Sequence, residues 1–451
     1  MMKTMKQIES NKRSFIKSLL WFCMYYLFFC SFCIDVLGLP SAVSYGIDFI
    51  LLFILFFSLI SRRIYDFSGR YYTIFLMWTG ILFASTLAGL FVVYGSPLLY
   101  LWGLRNIFRY YILVWACSIF LDLTDIPRML SYFKMAFVIN LVLCTIEYAM
   151  GYRGDNIGGM FGTASGCNGY LNLFLIIIVA ISMIEYLNKV RSIGELVFIL
   201  LGSFYMMAIA ELKVFVFELA AISILAILHS KYSARDIALV ALGIVGIFLA
   251  IAMLGYFFEN FGFDFFFSGE IFNYLGDRGY TGSGDLNRFN AVPELYRRFL
   301  SENVGGMLFG IGLGNASYSD AFSFFNSSFY LTYQDLHYQW FSDALVYIET
   351  GAIGLVLFES FFVGVFFACR KLRKNKALWT ELPNQAAIET MVQVASVVAL
   401  MSIFVSVYNS SLHTDAGYMV YFLLSVPIVI DRQLALKKSP PEHRVRRYKR
   451  V

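Results

Sequence analysis

Apolar runs of about 15 to 22 residues, separated by short polar segments, recur along the whole chain. Because a helix needs about 20 apolar residues to cross a hydrocarbon core of about 30 Å, each run predicts one transmembrane helix. The predicted spans are 19–37, 43–60, 72–93, 107–121, 132–150, 169–184, 196–210, 214–228, 237–257, a stretch within 341–369, 391–407 and 417–430. The pattern therefore predicts an all-α polytopic membrane protein with about twelve transmembrane helices, in which residues 1–451 form a single unit.

Composition agrees with this prediction. Hydrophobic residues make up 59% of the chain and charged residues only 14%, with a mean hydropathy of +0.69, whereas soluble domains carry about 25% charged residues. A soluble globular protein is thereby excluded. The seven cysteines lie mostly inside apolar runs, so they imply neither a disulfide framework nor a zinc site. The first run follows basic residues without a cleavage site, which predicts an uncleaved first span.

The positions of Lys and Arg indicate the orientation, because short cytoplasmic loops are enriched in both. If the N-terminus lies inside, all but eight of the 35 Lys and Arg residues fall on inner segments, including the basic tail 433–451. We therefore expect both termini in the cytoplasm. The eight outer cations need a separate explanation: Arg105, Arg109, Arg153, Lys213, Arg278, Arg288, Arg297 and Arg298.

One outer connection, residues 258–340 between the ninth and tenth spans, is far longer than the usual loop. Loops of this length are functional or disordered, and its many Phe and Tyr residues argue against disorder. We expect it to be partly helical and to fold against the outer face of the membrane. Within it, residues 287–302 have apolar residues at intervals of three and four, which predicts an amphipathic helix with Arg288 near its start. The glycines of 304–317 predict a tight, close-packed turn.

Two histidines, His337 and His413, lie on predicted outer segments. His337 is the stronger candidate for chemistry, since it lies where the large loop returns to the membrane. An imidazole with a pKa of about 6.5 is the usual general base at neutral pH. The alternative is an interfacial histidine that anchors the start of a helix beside Tyr338 and Trp340.

Arg105 and Arg109 are four residues apart at the outer end of the fourth span, so both side chains project from one helix face. Together they can bind a diphosphate, because the planar guanidinium donates two hydrogen bonds at once. The alternative is that both extend to anionic lipid headgroups.

The hairpin between the seventh and eighth spans carries Glu211 and Lys213 below the predicted outer surface. Ionisable groups at that depth are costly and favour a functional role, although a mutual Glu211–Lys213 pair is the alternative. Arg153 follows the fifth span in a glycine-rich segment, where a surface residue is equally compatible with the pattern. Three further carboxylates within spans are assigned to interhelical pairing or to the lining of a cavity: Glu147, Glu218 and Glu359.

Three local patterns occur in order along this topology. Before the sixth span lie Arg153, the turn Gly159-Met160-Phe161-Gly162 and Asn168. In the large loop, Arg288 is followed by Gly310-Ile311-Gly312-Leu313-Gly314-Asn315. His337 then precedes a helix that carries Glu349-Thr350-Gly351. In this order, and with its predicted topology, the chain resembles the superfamily of O-antigen ligases and Wzy-type O-antigen or capsule polymerases. It departs from the family at Leu212-Lys213, where Ser-Arg is frequent, and it lacks the tryptophan that commonly follows the loop arginine.

The resemblance implies a glycosyltransferase of the GT-C kind in the bacterial inner membrane, with a polyprenyl-diphosphate-linked oligosaccharide as donor. His337 and Arg288 are then the expected catalytic residues. The expected diphosphate-binding residues are Arg153, Lys213, Arg105 and Arg109. The resemblance implies no metal and no cofactor, since arginines supply the positive charge. The implied partners are the lipid-linked oligosaccharide, membrane lipids, a flippase and chain-length regulators, without nucleic acid.

Two alternatives remain open at this stage. A polymerase joins lipid-linked repeat units and is favoured here because the aromatic-rich loop follows the family pattern weakly, whereas a ligase transfers the glycan to lipid A core or protein. A polysaccharide flippase or other transporter belongs to a different class. Transporters often contain internal repeats, and the two halves of this chain do not match. A flippase also has no need of a large outer loop that carries arginines and a histidine.

Overall fold

The computed structural model of the protein describes residues 2–60, 69–229, 233–270, 284–375 and 384–438. Throughout these ranges the regular structure is helical, without a strand. The helices of the bundle are α1 (Met2–Asp35), α2 (Gly46–Ile60), α3 (Arg70–Val92), α4 (Pro97–Phe120), α5 (Asp125–Ala149), α6 (Asn168–Leu187), α7 (Ile193–Ile209), α8 (Phe215–Leu228) and α9 (Ala234–Phe257). The large loop contains the short helices α10 (Phe263–Phe267), α11 (Ala291–Leu295), α12 (Val304–Phe309) and α13 (Ser328–Tyr333). The chain then forms α14 (Ser342–Lys374), α15 (Gln385–Tyr408), α16 (Gly417–Leu424) and α17 (Val426–Lys438).

Each of the twelve predicted spans falls on a helix, the last on the consecutive helices α16 and α17. In the part of the chain that is described, nine segments are long and apolar enough to cross a membrane, so the prediction of a polytopic helical membrane protein is confirmed. The other three predicted spans are α4, which carries Arg105 and Arg109, and the shorter helices α7 and α8, of 17 and 14 residues. That these three also cross, for a total of twelve, stays a prediction.

Helix α6 forms the centre of the bundle, packed against α7, α8 and α15. Its most apolar window is 94% buried, compared with 22% for α3. Such a difference is expected when a helix that is apolar all round is surrounded by other helices, while an outer helix leaves apolar side chains for lipid. The outer end of α6 is thereby fixed in place, and that end carries residues of the site described below.

Residues that the orientation rule assigns to the cytoplasmic side contact one another at one end of the bundle. Lys17 of α1 pairs with Asp122 at 2.9 Å, and Lys134 pairs with Glu195 at 2.7 Å. Burial alone would raise the pKa of Asp122, but hydrogen bonds from Thr124 and Lys17 outweigh it and lower the pKa to about 2. The predicted alternation of sides is thus consistent with the contacts. Which end faces the cytoplasm stays a prediction.

The large loop packs onto the opposite end of the bundle, which we call the loop end. Its glycine-rich turn is as close-packed as predicted: Gly314 has a φ of +84°, and a Cβ there would lie 1.8 Å from the carbonyl oxygen of Leu99. The carboxylate of Glu349 accepts a hydrogen bond from Ser317 at 2.6 Å. A second glycine with positive φ, Gly351, kinks α14 where it meets α12. The glycine-rich segment 310–315 and the segment 349–351 therefore lie against each other.

The helix predicted over 287–302 is shorter than expected. It consists of α11 and a following π-helical turn, Tyr296–Leu300. The preceding residues are held in another conformation by distant partners, since Leu286 donates its N–H to the carbonyl of Leu336 and Arg288 binds the carbonyl of Tyr408. Tertiary contacts thus override the local periodicity. Arg288 still lies just before the helix, as predicted. The tail residues 439–451 and Arg278 lie outside the described ranges.

Candidate active site at the loop end

The short connection between α15 and α16, residues 409–416, and the residue before it bind two of the candidate residues, Arg109 and Arg288. The carbonyl of Asn409 accepts hydrogen bonds from the N–H and the hydroxyl of Ser342, at 3.1 and 2.9 Å. Arg109 of α4 donates to the carbonyl of His413 at 2.9 Å. Just before the connection, Arg288 of the large loop donates to the carbonyl of Tyr408 at 3.2 Å. Three distant parts of the chain therefore meet here.

A cavity of about 230 Å³ opens beside this connection. Its walls come from the short turn before α2, from α4, α6 and α14, from the large loop and from the connection itself. The residues that line it are Ser44, Tyr45, Trp102, Arg105, Asn106, Ile107, Arg109, Tyr170, Ser317, Tyr318, Ser319, Asp320, Gln339, Leu345, Val346, Glu349, Ser410, His413, Thr414 and Asp415. Arg105 and Arg109 are among them, so the two side chains that the sequence assigns to one face of α4 both line this cavity. That they bind a diphosphate stays a prediction.

Arg105 does not extend to the lipid surface. Its Nε donates to a carboxylate oxygen of Asp48 at 2.8 Å, and its guanidinium lies over the rings of Tyr45 and Trp102, 4.6 and 4.9 Å from their centroids. Tyr418 donates its hydroxyl to the other oxygen of Asp48. The guanidinium is thus held between two aromatic rings and a carboxylate, and its charge is paired.

Arg109 is also paired, and only 6% of it is exposed. It donates to Asp415 at 3.0 Å and to the hydroxyl of Tyr110 at 2.6 Å. Burial raises the pKa of the Asp415 carboxyl above its ordinary value, while the nearby guanidinium acts in the opposite direction. The geometry is that of a buried ion pair that closes one side of the cavity.

His413 lines the cavity as a neutral imidazole. Burial, with a smaller contribution from Arg109, lowers the pKa of His413 to about 3. The ring stacks on Phe358 with centroids 5.2 Å apart. Its Nε2 is buried and has no hydrogen-bond partner within the described ranges. The sequence indicated only that His413 is one of two outer histidines. The available signal was the presence of His413 and Asp415 in a short connection between two apolar helices.

His337 forms a pair with a carboxylate that the sequence did not indicate. Its Nδ1 lies 3.3 Å from an oxygen of Asp285, whose side chain is fully buried. The imidazole stacks on Trp340 at a centroid distance of 3.8 Å. The backbone of His337 has a φ of +56°, a left-handed conformation that is costly for a residue with a Cβ and is often found at functional sites.

Arg288 lies close to the same region and is 6% exposed. Besides its bond to the Tyr408 carbonyl, its guanidinium lies 4.3 Å from the centroid of the Tyr408 ring. The His337–Asp285 pair and Arg288 adjoin the cavity along the chain, because Gln339 and Ser410, two residues beyond His337 and Tyr408, are part of its lining. The histidine is thus two residues along the chain from the lining, and the buried arginine binds a carbonyl two residues from it.

Arg153 and Lys213 lie further from the cavity. Arg153 is exposed and donates to the carbonyls of Tyr148 and Tyr152 at 2.7 and 2.6 Å. Lys213 pairs with Glu211 at 2.9 Å, so the mutual pair considered from the sequence is present. Their segments reach the loop end through a hydrogen bond of 3.0 Å from Asn168 to the carbonyl of residue 210. Neither side chain lines the cavity.

Two of the three carboxylates within spans pair with another helix, as predicted, whereas Glu147 bonds to the backbone of the segment before α6. Glu218 accepts from Asn172 at 2.9 Å, Glu359 from Ser406 at 2.7 Å and Glu147 from the N–H of Gly159 at 2.7 Å. In the residues described, His, Cys, Asp and Glu form no group of three or more with the geometry of a metal site.

Comparison with known proteins adds no relative to this description. No protein-family model matches the sequence, and no curated protein matches it.

Proposed function

We propose that the protein is a glycosyltransferase that joins polyprenyl-diphosphate-linked oligosaccharide repeat units into O-antigen, capsular or exopolysaccharide. It would work at the outer face of the bacterial inner membrane, with twelve spans and both termini in the cytoplasm. The observation that carries the proposal is the His337–Asp285 pair. Its histidine is two residues from Gln339, which lines a polar cavity at the end of the helical bundle, and its carboxylate is three residues from the buried Arg288.

The histidine pair supplies the base for such a reaction. In the tautomer that donates Nδ1–H to Asp285, the Nε2 of His337 is the acceptor for the proton of an acceptor hydroxyl. Asp285 then stabilises the imidazolium that forms, as carboxylates do for other catalytic histidines. The hydroxyl oxygen attacks the anomeric carbon of the donor, the new glycosidic bond forms, and the bond from that carbon to the diphosphate breaks.

The departing diphosphate gains negative charge, which fixed cations stabilise in a site with little water. We assign Arg288 to this role, because it is buried and lies three residues after Asp285, the partner of the base. Arg153 is a second candidate, since in the described part of the chain its guanidinium donates only to backbone carbonyls. The other cations that the sequence suggested for the diphosphate are each bonded to a carboxylate: Lys213, Arg105 and Arg109.

Deletion of the gene in the native host tests the proposal. Surface and lipid-linked glycans would be resolved on a gel, and the membrane level of each variant would be checked by immunoblot. If the protein is a polymerase, the surface glycan of the deletion strain should collapse to a single repeat unit. Full-length chains on the lipid carrier would identify a ligase instead. Unlinked repeat units that accumulate only on the cytoplasmic side would identify a flippase, and unchanged glycans would refute all three.

Point variants then locate the chemistry. His337→Ala and Arg288→Ala should each reproduce the deletion phenotype at normal membrane level. The matched control is Arg297→Ala in the same loop, because Arg297 is an exposed residue that pairs with Glu294 on the surface. Normal chain lengths with either of the first two variants would remove that residue from the mechanism.

A further inference from the structure

The charges around the cavity do not suit a diphosphate. Each of its two guanidiniums is already bonded to a carboxylate, and its histidine is neutral. Among the described residues, four carboxyl groups lie in the lining or directly behind it: Asp48, Asp320, Glu349 and Asp415. A diphosphate is strongly anionic and accepts hydrogen bonds, so a buried site for it needs an excess of cations. The cavity has an excess of carboxyl groups instead.

Three side chains of the lining have buried polar atoms without a hydrogen-bond partner in the described ranges: Oε1 of Gln339, Nε2 of His413 and Nε of Arg109. The Nε2 of Gln339 donates to the carbonyl of Gln334 at 3.3 Å, which fixes Oε1 as the atom in need of a donor. An ionised diphosphate cannot donate a hydrogen bond to Oε1. A hydroxyl can donate to it, can serve either tautomer of the imidazole and can accept from the Nε–H of Arg109, so one type of group serves all three side chains. The unsatisfied atoms therefore favour a ligand with hydroxyl groups.

An aromatic wall completes the cavity. One face of the Tyr318 ring stacks on Tyr330, with centroids 4.6 Å apart and an angle of 12°, while 38% of Tyr318 stays exposed. The backbone next to it is held by Trp102, whose indole N–H donates to the carbonyl of Tyr318 at 3.1 Å. A flat apolar ring surrounded by a few directed polar groups is the combination that binds a ligand with an apolar face and a polar edge. A sugar ring has both.

We infer that this cavity binds an uncharged, hydroxyl-rich sugar ring and that the diphosphate of a lipid-linked substrate binds outside it. Hydroxyl groups of the sugar donate to Gln339 and bind His413, and an apolar face of the sugar lies on Tyr318. That the sugar belongs to the glycan being assembled rests on the function proposed above. The cavity is then the subsite that determines which repeat unit is accepted.

The test uses the full-length protein in lipid nanodiscs and saturation-transfer NMR. The first probe is the free repeat-unit oligosaccharide, without lipid or phosphate, released from the surface glycan of the host, and the second is sodium pyrophosphate. The oligosaccharide should bind the wild type. Gln339→Leu and Tyr318→Leu should each weaken that binding by about fivefold or more, the effect of one lost hydrogen bond or contact. Pyrophosphate at equal concentration should not displace the oligosaccharide.

Gln433→Leu is the matched control, because Gln433 lies at the opposite end of the bundle and donates to the carbonyl of Leu121. Thermal unfolding of each variant checks the fold. The inference is overturned if the oligosaccharide does not bind, if pyrophosphate displaces it, or if Gln433→Leu weakens it as much as Gln339→Leu. The displacement experiment with pyrophosphate needs only the wild type. It therefore tests the inference even if a variant fails to fold. Binding of the oligosaccharide without transfer from a lipid-linked donor would refute the proposed function and leave the subsite intact.

Discussion

At the scale of single residues, the side chains of the loop end depend on partners that are distant in sequence. Asp48 is 57 residues from Arg105, and Asp415 is 306 residues from Arg109. The sequence indicated the cations, because a charge at the end of an apolar run is conspicuous. It did not indicate which carboxylate each cation meets, since that depends on how the helices pack.

The first residue-scale prediction concerns Asp285 as a positioning residue for His337. Asp285→Asn keeps the shape of the side chain but removes the charge that stabilises the imidazolium, so kcat should fall by about 10²-fold or more while KM changes little. The assay is the rate of chain extension with a purified lipid-linked repeat unit. Asp264→Asn, an exposed substitution in the same loop, should leave both constants unchanged. A change confined to KM would mean that Asp285 acts on binding instead.

The second concerns the pH dependence of stability due to His413. Its pKa is about 3 in the folded protein and about 6.5 when unfolded. Between these values only the unfolded state takes up the proton, so this residue lowers stability as the pH falls from about 6.5 towards 3. His413→Gln removes the effect, and its unfolding midpoint relative to wild type should therefore rise as the pH falls from 7 to about 4. A difference that is constant with pH would show that the imidazole is not kept neutral by the fold.

The sequence suggests some residues of the candidate site and gives no sign of others. His337 was suggested because it is one of two histidines on predicted outer segments, and Arg288 because it lies at the predicted start of the loop helix, where the family resemblance has an arginine. Asp285 was missed, since nothing in its local sequence separates it from the other aspartates of the loop. The neutral state of His413 was also hidden, because it results from burial under Phe358 and Arg109.

At the scale of elements, the apolar runs predicted the helices well, because the length of a span is determined by the membrane rather than by tertiary packing. The prediction failed at 287–302, where the periodicity was present but bonds from Leu286 and Arg288 to distant carbonyls hold the first residues outside the helix. Loop helices lack the constraint of the bilayer, so their limits are decided by packing that the sequence does not reveal.

The glycine-rich turn gives the element-scale prediction. Gly314→Ala would place a Cβ against the carbonyl of Leu99 at a position with φ of +84°, and it should destabilise the protein by about 2–4 kcal/mol. Gly80→Ala is the control, because nothing lies within 4 Å of that Cβ and the residue is inside α3; it should stabilise by about 0.5–1 kcal/mol. Thermal unfolding in detergent measures both. A neutral Gly314→Ala would show that the turn does not fix the loop against α4.

At the scale of the whole molecule, the proposed function requires that the loop end face the outer side of the membrane. Tyr94, 93% exposed beyond α3, and Lys189, exposed beyond α6, lie on opposite sides in the predicted topology. In a cysteine-free background, Tyr94→Cys should react with an impermeant thiol reagent on intact spheroplasts, whereas Lys189→Cys should react only after lysis. The reverse pattern would place the candidate site in the cytoplasm and rule out a lipid-linked donor on the outer face.

The most direct test of the central claim is glycosyl transfer by the purified full-length protein in liposomes with a lipid-linked repeat unit as the only substrate. The proposed function predicts that the wild type and Arg297→Ala form linked repeat units and release the polyprenyl diphosphate. It also predicts that His337→Ala loses about 10²–10⁴-fold in rate. If the wild type forms no linkage, or if His337→Ala forms it at the wild-type rate, the His337–Asp285 pair is not the base of a glycosyltransferase.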